Sequence, residues 1–261
     1  MLIRDGRIVE VADAGGLIAT HPGVEVSRYP DHLIMAGFVD CHIHYPQYGV
    51  IASYGSQLIE WLQKYTFPAE LAFADAGHAS RIAELFIDEI LRNGTTSASA
   101  YCTTHPQSVD ALFTAAARRG IRMAAGKMMM DRNAPAGLTD TATLGYEDSK
   151  ELIGRWHQNG RATYVISPRF APTSTPGQLE AAGALWREHP TTLLQTHIDE
   201  NRNEIAWVKE LFPGDTDYLA VYQRFGLVGP GANFGHAIHL TKREIAALRA
   251  TGSGVSHCPT S

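Results

Sequence analysis

Apolar runs of strand length alternate with amphipathic stretches of helical spacing along most of this 261-residue chain. We predict seven strands, at residues 37–42, 95–100, 121–127, 163–167, 192–197, 232–236 and 254–257. We predict helices between them, at residues 75–92, 107–119, 147–158, 176–187, 201–211 and 242–250. Strands that are separated by helices run parallel and are joined by crossover connections, so the sequence predicts an α/β fold with a parallel sheet.

Two architectures contain such a sheet: an open doubly wound sheet and a (β/α)8 TIM-like barrel. No G-x-G-x-x-G pattern follows an early strand, which disfavours a dinucleotide-binding sheet. Histidines recur at the carboxyl ends of the predicted strands, where barrel enzymes place their active sites. The sequence therefore favours the barrel.

A complete barrel has eight strands, and we predict only seven before the sequence ends at Ser261. We therefore expect residues 36–261 to form an incomplete barrel that lacks its eighth strand, in a chain truncated at its carboxyl end. Residues 1–11 alternate around an Asp5-Gly6 turn, and residues 24–35 follow a loop rich in Gly and Pro, so both are predicted as β structure. We expect residues 1–35 to be part of a small β-sandwich that is truncated as well.

Composition excludes several classes of partner. A net charge of -5 provides no basic excess with which to neutralise nucleic acid or an anionic membrane. No apolar run reaches the roughly 18 residues of a membrane helix, and the first residues lack a signal-peptide pattern, so we expect a cytoplasmic protein. Three cysteines, Cys41, Cys102 and Cys258, do not indicate a disulfide framework. A small-molecule partner remains.

The pair His42 and His44 ends the first predicted strand. Successive strand side chains point to opposite faces, so these two imidazoles share a face while Cys41 and Ile43 point away from it. Two imidazoles on one face can share a metal ion, although an H-x-H pair alone is a weak indication of a metal site.

Two more histidines, His197 and His236, end the fifth and sixth predicted strands, and Glu200 follows His197. A single histidine at such a position more often has a structural role than binds a metal ion. At equivalent barrel positions, however, the four histidines would provide nitrogen ligands that suit Zn²⁺ or Fe²⁺. A carboxylate beside a metal-activated water can move protons. The alternative for Glu200 is a charge at a helix N-terminus.

Residues 37–48 (GFVDCHIHYPQY) resemble the first-strand signature of the amidohydrolase superfamily. Further segments are similar to the guanine deaminase family within it: residues 61–70, 167–173, 195–200, Gly235-His236 and His257-Cys258-Pro259. They follow the family's order along nearly the whole chain. The resemblance implies a TIM-like barrel of the metal-dependent hydrolase type. It also implies a hydrolase of C–N bonds in cyclic amidines, which converts guanine to xanthine and ammonia in purine catabolism.

The resemblance also implies roles for single residues. One Zn²⁺ per chain, with Fe²⁺ as the alternative, would be held by His42, His44, His197 and His236. Glu200 and His236 would be catalytic, with Glu200 as the proton relay. The purine-binding residues would be His44, Tyr45, Pro46, Gln47, Arg169, Phe170, His197 and Glu200. Arg169 would present its donor fork to a carbonyl oxygen, and Phe170 its ring face to the base. Family members are often dimers, so a homodimer is the expected assembly.

The chain departs from the family pattern in one respect. The family's eighth strand carries an aspartate that binds the metal, and no residue here matches it, since Asp40 and Asp199 lie in other motifs. Two alternatives therefore stay open. The chain is a deaminase or chlorohydrolase of a related heterocycle, such as a pterin, cytosine or triazine, or it is an inactive metal-binding fragment. Gln47, Arg169 and Phe170 favour guanine.

Overall fold

The computed structural model describes residues 1–55 and 58–258. These residues divide into two compact units, of which the first is Met1–Ala36 and the second begins at Gly37. The first unit contains the predicted hairpin, formed by β1 (Leu2–Arg4) and β2 (Arg7–Glu10). Asp5 and Gly6 connect them with φ angles of 51° and 71°, the left-handed backbone that a two-residue type I′ turn requires. A short helix, α1 (Ala14–Thr20), follows.

The structure differs from the prediction at residues 24–35, which form no strand. A strand needs the hydrogen bonds of a partner, and within the described residues β1 and β2 pair only with each other. The apolar side chains that suggested a strand are exposed, with Leu33 at 85%. The assignment of residues 1–35 to a β-sandwich stays a prediction.

The second unit is a nearly closed barrel of seven parallel strands, as predicted. In chain order, its strands are β3 (Phe38–His44), β4 (Thr95–Tyr101), β5 (Arg122–Gly126), β6 (Met128–Met129), β7 (Ala162–Pro168), β8 (Leu193–Ile198), β9 (Ala232–His236) and β10 (Gly254–Ser256). Their spatial order is β3-β4-β5-β7-β8-β9-β10, and the two-residue β6 pairs with β7 outside this path. The order of strands in the sheet is their order in the sequence, as short crossover connections require.

The six predicted helices are present, and the described part of this unit contains three more. The helices of this unit are α2 (Leu58–Trp61), α3 (Phe67–Leu71), α4 (Ala76–Arg92), α5 (Pro106–Arg119), α6 (Ala142–Trp156), α7 (Pro176–Glu188), α8 (Arg202–Leu211), α9 (Tyr218–Arg224) and α10 (Lys242–Thr251). The three additional helices are α2, α3 and α9. A π-helical segment, Leu62–Thr66, joins α2 to α3. Among the residues that the structure describes, no helix is long and apolar enough to cross a membrane.

Helix ends follow local sequence signals. Asn93 caps the C-terminus of α4, and Gly94 continues with a φ of 83° that favours glycine. Thr241 and Glu244 form a capping box at the start of α10, in which each side chain accepts the other residue's backbone N–H. The cap of α4 ends that helix just before β4 begins, and the capping box starts α10 shortly after β9 ends.

A buried polar network holds the strands beneath this rim. Gln195 of β8 is 1% exposed, and its amide nitrogen donates to the Ser167 hydroxyl at 3.0 Å and to the Ala100 carbonyl at 3.2 Å. Its amide oxygen accepts a hydrogen bond from the Ser99 hydroxyl at 3.0 Å. Since every partner is itself on a strand, the network fixes β8 relative to β4 and β7, only two residues before His197.

The two end strands, β3 and β10, are joined by side chains. The Cys41 carbonyl accepts hydrogen bonds from the Asn233 amide at 3.1 Å and from the Ser256 hydroxyl at 3.0 Å. Apolar side chains beside this seam are exposed, with Phe38 at 55% and Val255 at 45%. The barrel is therefore well packed on one side and open along the seam.

Candidate metal and substrate site

Four histidine rings meet at the carboxyl rim of the barrel. The centroid of the His42 ring lies 4.7 Å from that of His197 and 4.8 Å from that of His236, and the His44 ring lies 5.0 Å from that of His197. They come from β3, β8 and β9, whose carboxyl ends share one rim because the strands are parallel. The structure thus brings together the four residues predicted as metal ligands.

His197 is held in one orientation and one tautomer. Its Nδ1–H donates to the backbone carbonyl of Arg169 at 2.7 Å, so its Nε2 carries the free lone pair. This Nε2 lies 3.0 Å from Nε2 of His44. A backbone carbonyl that fixes the outer nitrogen of a histidine is typical of metal sites.

The histidine cluster fits a divalent metal ion. One ligand nitrogen each from His42, His44 and His197 lies within 4.8 Å of the others. Two nitrogens on a tetrahedral Zn²⁺ are about 3.3 Å apart, given bond lengths of about 2.0–2.1 Å, which is close to the His44–His197 separation. The Nδ1 atoms of His44 and His236 are buried without a hydrogen-bond partner in the described part of the chain.

Burial also sets the charge of these rings. It lowers the pKa of His42 to about 3 and that of His236 to about 4. The pKa values of His44 and His197 fall well below the ordinary value for the same reason. All four imidazoles are therefore neutral near pH 7, which is the form that binds metal.

Glu200 lies beside the cluster. Its Oε2 is 3.5 Å from Nε2 of His236. Burial and the neighbouring Glu204 carboxylate raise the pKa of Glu200 to about 8, against an opposing effect of Arg169. A carboxyl group that holds its proton near neutral pH can donate it to a bound substrate.

Arg169 is anchored by a buried ion pair. Its Nη1 donates to both carboxylate oxygens of Glu70, at 3.0 Å and 2.7 Å. Arg169 is 3% exposed and Glu70 is 0% exposed, so neither charge is screened by bulk water. The guanidinium also lies 5.4 Å from the centroid of the Phe67 ring.

A cavity of about 380 Å³ connects these groups. It is lined by the four histidines, Gln47, Arg169, Phe170 and Glu200, with an apolar wall from Ile43, Tyr48, Val50, Leu58, Trp61, Leu62 and Phe86. Its volume lies within the usual range for small-molecule sites, about 300–1,000 Å³. The structure differs from the prediction at Tyr45 and Pro46, whose side chains do not line the cavity.

The Tyr45 side chain lies in the core instead. Its hydroxyl donates to the Ser108 carbonyl at 2.6 Å, and its ring packs against Phe73 at 5.2 Å. The chain leaves β3 in a 3-10 helix, Tyr45–Val50, which turns Tyr45 and Pro46 inward and leaves Gln47 facing the cavity. Cys41 is exposed, as expected for a side chain that points away from His42. Pro259, the last residue of the predicted motif, lies outside the described residues.

The sequence as a whole matches a known family. The profile of the Amidohydrolase family matches residues 33–261. The chain belongs to the amidohydrolase family. Members of this family are metal-dependent, in agreement with the histidine cluster.

Three similar proteins are guanine deaminases. This amidohydrolase is 52% identical over 238 residues to guanine deaminase of Escherichia coli strain K12, across 91% of this chain and 54% of that protein. A crystal structure of guanine deaminase from Bradyrhizobium japonicum matches with a TM-score of 0.91 and 41% identity, over 94% of this chain and 53% of the other. Guanine deaminase from C. acetobutylicum, with guanine bound in its active site, matches with a TM-score of 0.84 and 32% identity, over 86% and 54%. The amidohydrolase chain spans about half the length of the relatives it matches.

Sequence reasoning missed two buried acids of this amidohydrolase. Glu204 accepts hydrogen bonds at Oε2 from the backbone N–H groups of Glu200, at 3.0 Å, and Asn201, at 3.1 Å, and at Oε1 from the Tyr218 hydroxyl, at 2.8 Å. It thereby fixes the turn that carries Glu200. The N-x-x-E pattern that begins at Asn201 is a capping-box signal that could have identified it. Glu70 has no such signal, because 99 residues separate it from Arg169.

Proposed function

We propose that this chain is the site-bearing part of a guanine deaminase, a hydrolase that converts guanine and water to xanthine and ammonia. One observation carries the proposal. A single cavity joins the four neutral imidazoles and Glu200 to Gln47, Arg169 and Phe170, which together suit a flat, polar base. The similarity to three guanine deaminases supports the same substrate.

In this proposal, His42, His44, His197 and His236 hold one Zn²⁺, with Fe²⁺ as the alternative. Neutral imidazole nitrogens suit both ions. When bound, such an ion lowers the pKa of a water molecule toward 7 and so provides a nucleophile at neutral pH. The Arg169 carbonyl keeps the His197 ring in the tautomer that binding needs, since it accepts the Nδ1 proton at 2.7 Å.

The chain's own residues bind and orient the base. Arg169, anchored by Glu70, presents its remaining guanidinium donors to a carbonyl oxygen of guanine. The Gln47 amide provides a donor and an acceptor for the ring edge. The Phe170 ring, 4% exposed, provides an apolar contact for the flat base. Together these contacts hold the amino-bearing carbon toward the histidines, and the apolar wall limits the water that enters.

Glu200 moves the proton. Its carboxyl group, which burial keeps protonated near neutral pH, gives a proton to a ring nitrogen of guanine, so that the amino-bearing carbon becomes more electrophilic. It then takes a proton from the attacking water and passes it to the departing amine, which leaves as ammonia. The remaining proton of the added hydroxyl returns to Glu200 as the carbonyl group of xanthine forms. His236 is the nearest histidine to this carboxyl group, at 3.5 Å, and orients it.

The test is a substrate panel with the metal-loaded chain. Release of ammonia from guanine, with formation of xanthine followed by absorbance, is the expected result. Preferential turnover of a pterin, cytosine or a triazine would assign the site to a related heterocycle instead. Binding of metal without turnover of any of these would identify a metal-binding chain without this activity. Glu200→Gln is the control, since it retains the metal ligands and removes the proton relay.

Two further parts of the proposal concern the protein in the cell. We place it in the cytoplasm, which cell fractionation tests. A homodimer is the proposed assembly, and light scattering of the purified chain tests it. The negative net charge of -5 supports a small-molecule purine rather than nucleic acid as the partner.

A further inference from the structure

Cys258 lies two residues beyond β10, at the same rim as the histidine cluster. Its sulfur, a ring nitrogen of His42 and a ring nitrogen of His236 all lie within 4.8 Å of one another. This is a second set of three donors, and it shares His42 with the set formed by His42, His44 and His197. The proposed function makes no use of the sulfur.

The surroundings of His42, His236 and Cys258 also suit the binding of a ligand. His236 is only 7% exposed, and its Nδ1 has no hydrogen-bond partner among the described residues. The Cys258 thiol donates a hydrogen bond to the Ser256 carbonyl at 3.4 Å. The His236 Nδ1 therefore remains available to a ligand in the described part of the folded chain.

His42 and Cys258 also line a common groove between β3 and β10. The groove has a volume of about 600 Å³, and Cys41 lines it as well. Asp40, also in its lining, provides a carboxylate that attracts cations. The cavity that would hold the base has no Cys258 in its lining, so the groove reaches the second donor set from the other side of His42.

We propose that the chain provides two alternative positions for one divalent ion: the all-histidine position, and a thiolate position formed by His42, His236 and Cys258. The positions exclude each other, because a neutral imidazole has one lone pair and both His42 and His236 belong to the two positions. In the second, the sulfur–hydrogen bond breaks, the sulfur electron pair binds the ion, and the proton leaves to solvent. Thiolate ligands favour thiophilic ions such as Cd²⁺ and Co²⁺ over Mg²⁺ or Ca²⁺.

Co²⁺ provides a direct test, because a thiolate bound to it gives a charge-transfer absorption in the near ultraviolet that nitrogen ligands do not. We expect the metal-free chain to develop this band on titration with Co²⁺ and to saturate at one ion per chain. Cys258→Ser should remove the band. Cys41→Ser is the matched control, since this exposed thiol is next to His42 in sequence but belongs to neither set of donors, and should leave the band unchanged.

Histidine variants test the geometry. His236→Ala should remove the band, whereas His197→Ala should retain it, because His197 belongs only to the other position. Absence of the band in the wild-type chain, or its persistence in Cys258→Ser, would overturn the proposal. The Cd²⁺ resonance of the loaded chain gives a second measurement, since a sulfur ligand shifts it strongly. None of these readouts depends on guanine turnover, so a failed ammonia assay and a failed absorbance titration are separate results.

Discussion

The two ends of the cavity bury their polar side chains in different charge states. At one end, four imidazoles are buried as neutral rings, and two of their nitrogens have no partner among the described residues. At the other end, Arg169 and Glu70 are buried as a charged pair with two short hydrogen bonds. The histidine end thus keeps ring nitrogens that can bind an ion, whereas the two charges of the arginine end are paired within the folded chain. Substitutions at the first should therefore change metal binding, and substitutions at the second should change stability.

The largest effect is expected at the histidine end. His197→Ala, made in a Cys258→Ser background so that the thiolate position is closed, removes a ligand that is oriented by the Arg169 carbonyl. Loss of an outer-shell partner alone weakens metal affinity by about 10–100-fold, so loss of the ligand itself should weaken Zn²⁺ binding by more than about 100-fold, and turnover of guanine should disappear with it. Competition with a chromophoric chelator measures the affinity.

The control for this prediction is His32→Ala, made in the same background at an exposed histidine of the first unit. It should bind Zn²⁺ as the Cys258→Ser chain does. Equal affinity in His197→Ala and in His32→Ala would show that the cluster is not the metal site, however close the rings lie.

Glu200→Gln should lower the rate of the reaction without changing the binding of metal. The amide retains the size of the side chain and the contact with His236 but cannot relay a proton, so turnover should fall by about 10²–10⁴-fold while metal content stays at the wild-type value. Metal analysis and the ammonia assay on the same preparation check both halves. A fall in metal content in parallel with activity would assign Glu200 to the ligand set instead.

At the arginine end, Glu70→Gln should lower stability. Removing one partner of a buried ion pair leaves an uncompensated charge, which costs about 3–5 kcal/mol. The exposed pairs of Glu84 with Arg118 and Arg119 provide the control, since Glu84→Gln should cost at most about 1 kcal/mol. Urea unfolding of the metal-free chains measures both. The comparison between the two ends fails if Glu70→Gln weakens metal binding but not the fold.

Most of the fold could be predicted from the sequence, because strands and helices depend on local patterns of apolar and polar residues. The seven strands follow from apolar runs between helical stretches, and the positions of His197 and His236 at strand ends follow from the strand boundaries. The first strand extends two residues beyond its predicted end, to His44. The prediction of a strand at residues 24–35 was wrong for a physical reason. The sequence pattern expresses only a local preference, but a strand also needs a partner strand with which to form hydrogen bonds. Residues 58–71 were not predicted as helix, and a π-helical segment interrupts the helical spacing there.

Less of the site could be predicted from the sequence, because residues that contact each other there are far apart in the sequence. Glu70 and Arg169 are 99 residues apart, and only the closed barrel brings them into contact. Tyr45 follows His44 directly, yet the 3-10 helix that begins at Tyr45 carries its side chain into the core. The place of a residue in a sequence motif thus predicts where its backbone lies more reliably than where its side chain points.

The smallest predicted effect concerns the wall between the histidines and the core. Tyr101 is 0% exposed, its ring stacks on His44 at 4.4 Å, and its hydroxyl has no partner in the described part of the chain. Tyr101→Phe should therefore stabilise the metal-free chain by about 1 kcal/mol, because a buried unsatisfied hydroxyl is removed and the ring stays.

Tyr222→Phe is the matched control. The Tyr222 hydroxyl accepts a hydrogen bond from the Ala171 N–H at 2.9 Å and donates one to the His197 carbonyl at 2.8 Å, so its removal should cost about 1–3 kcal/mol. Thermal unfolding of both variants should give shifts of opposite sign. Two losses of equal size would mean that the Tyr101 hydroxyl has a partner, such as a bound water. If that partner is part of the site, Tyr101→Phe would also lower the affinity for guanine or metal, and the histidine end would then extend to Tyr101.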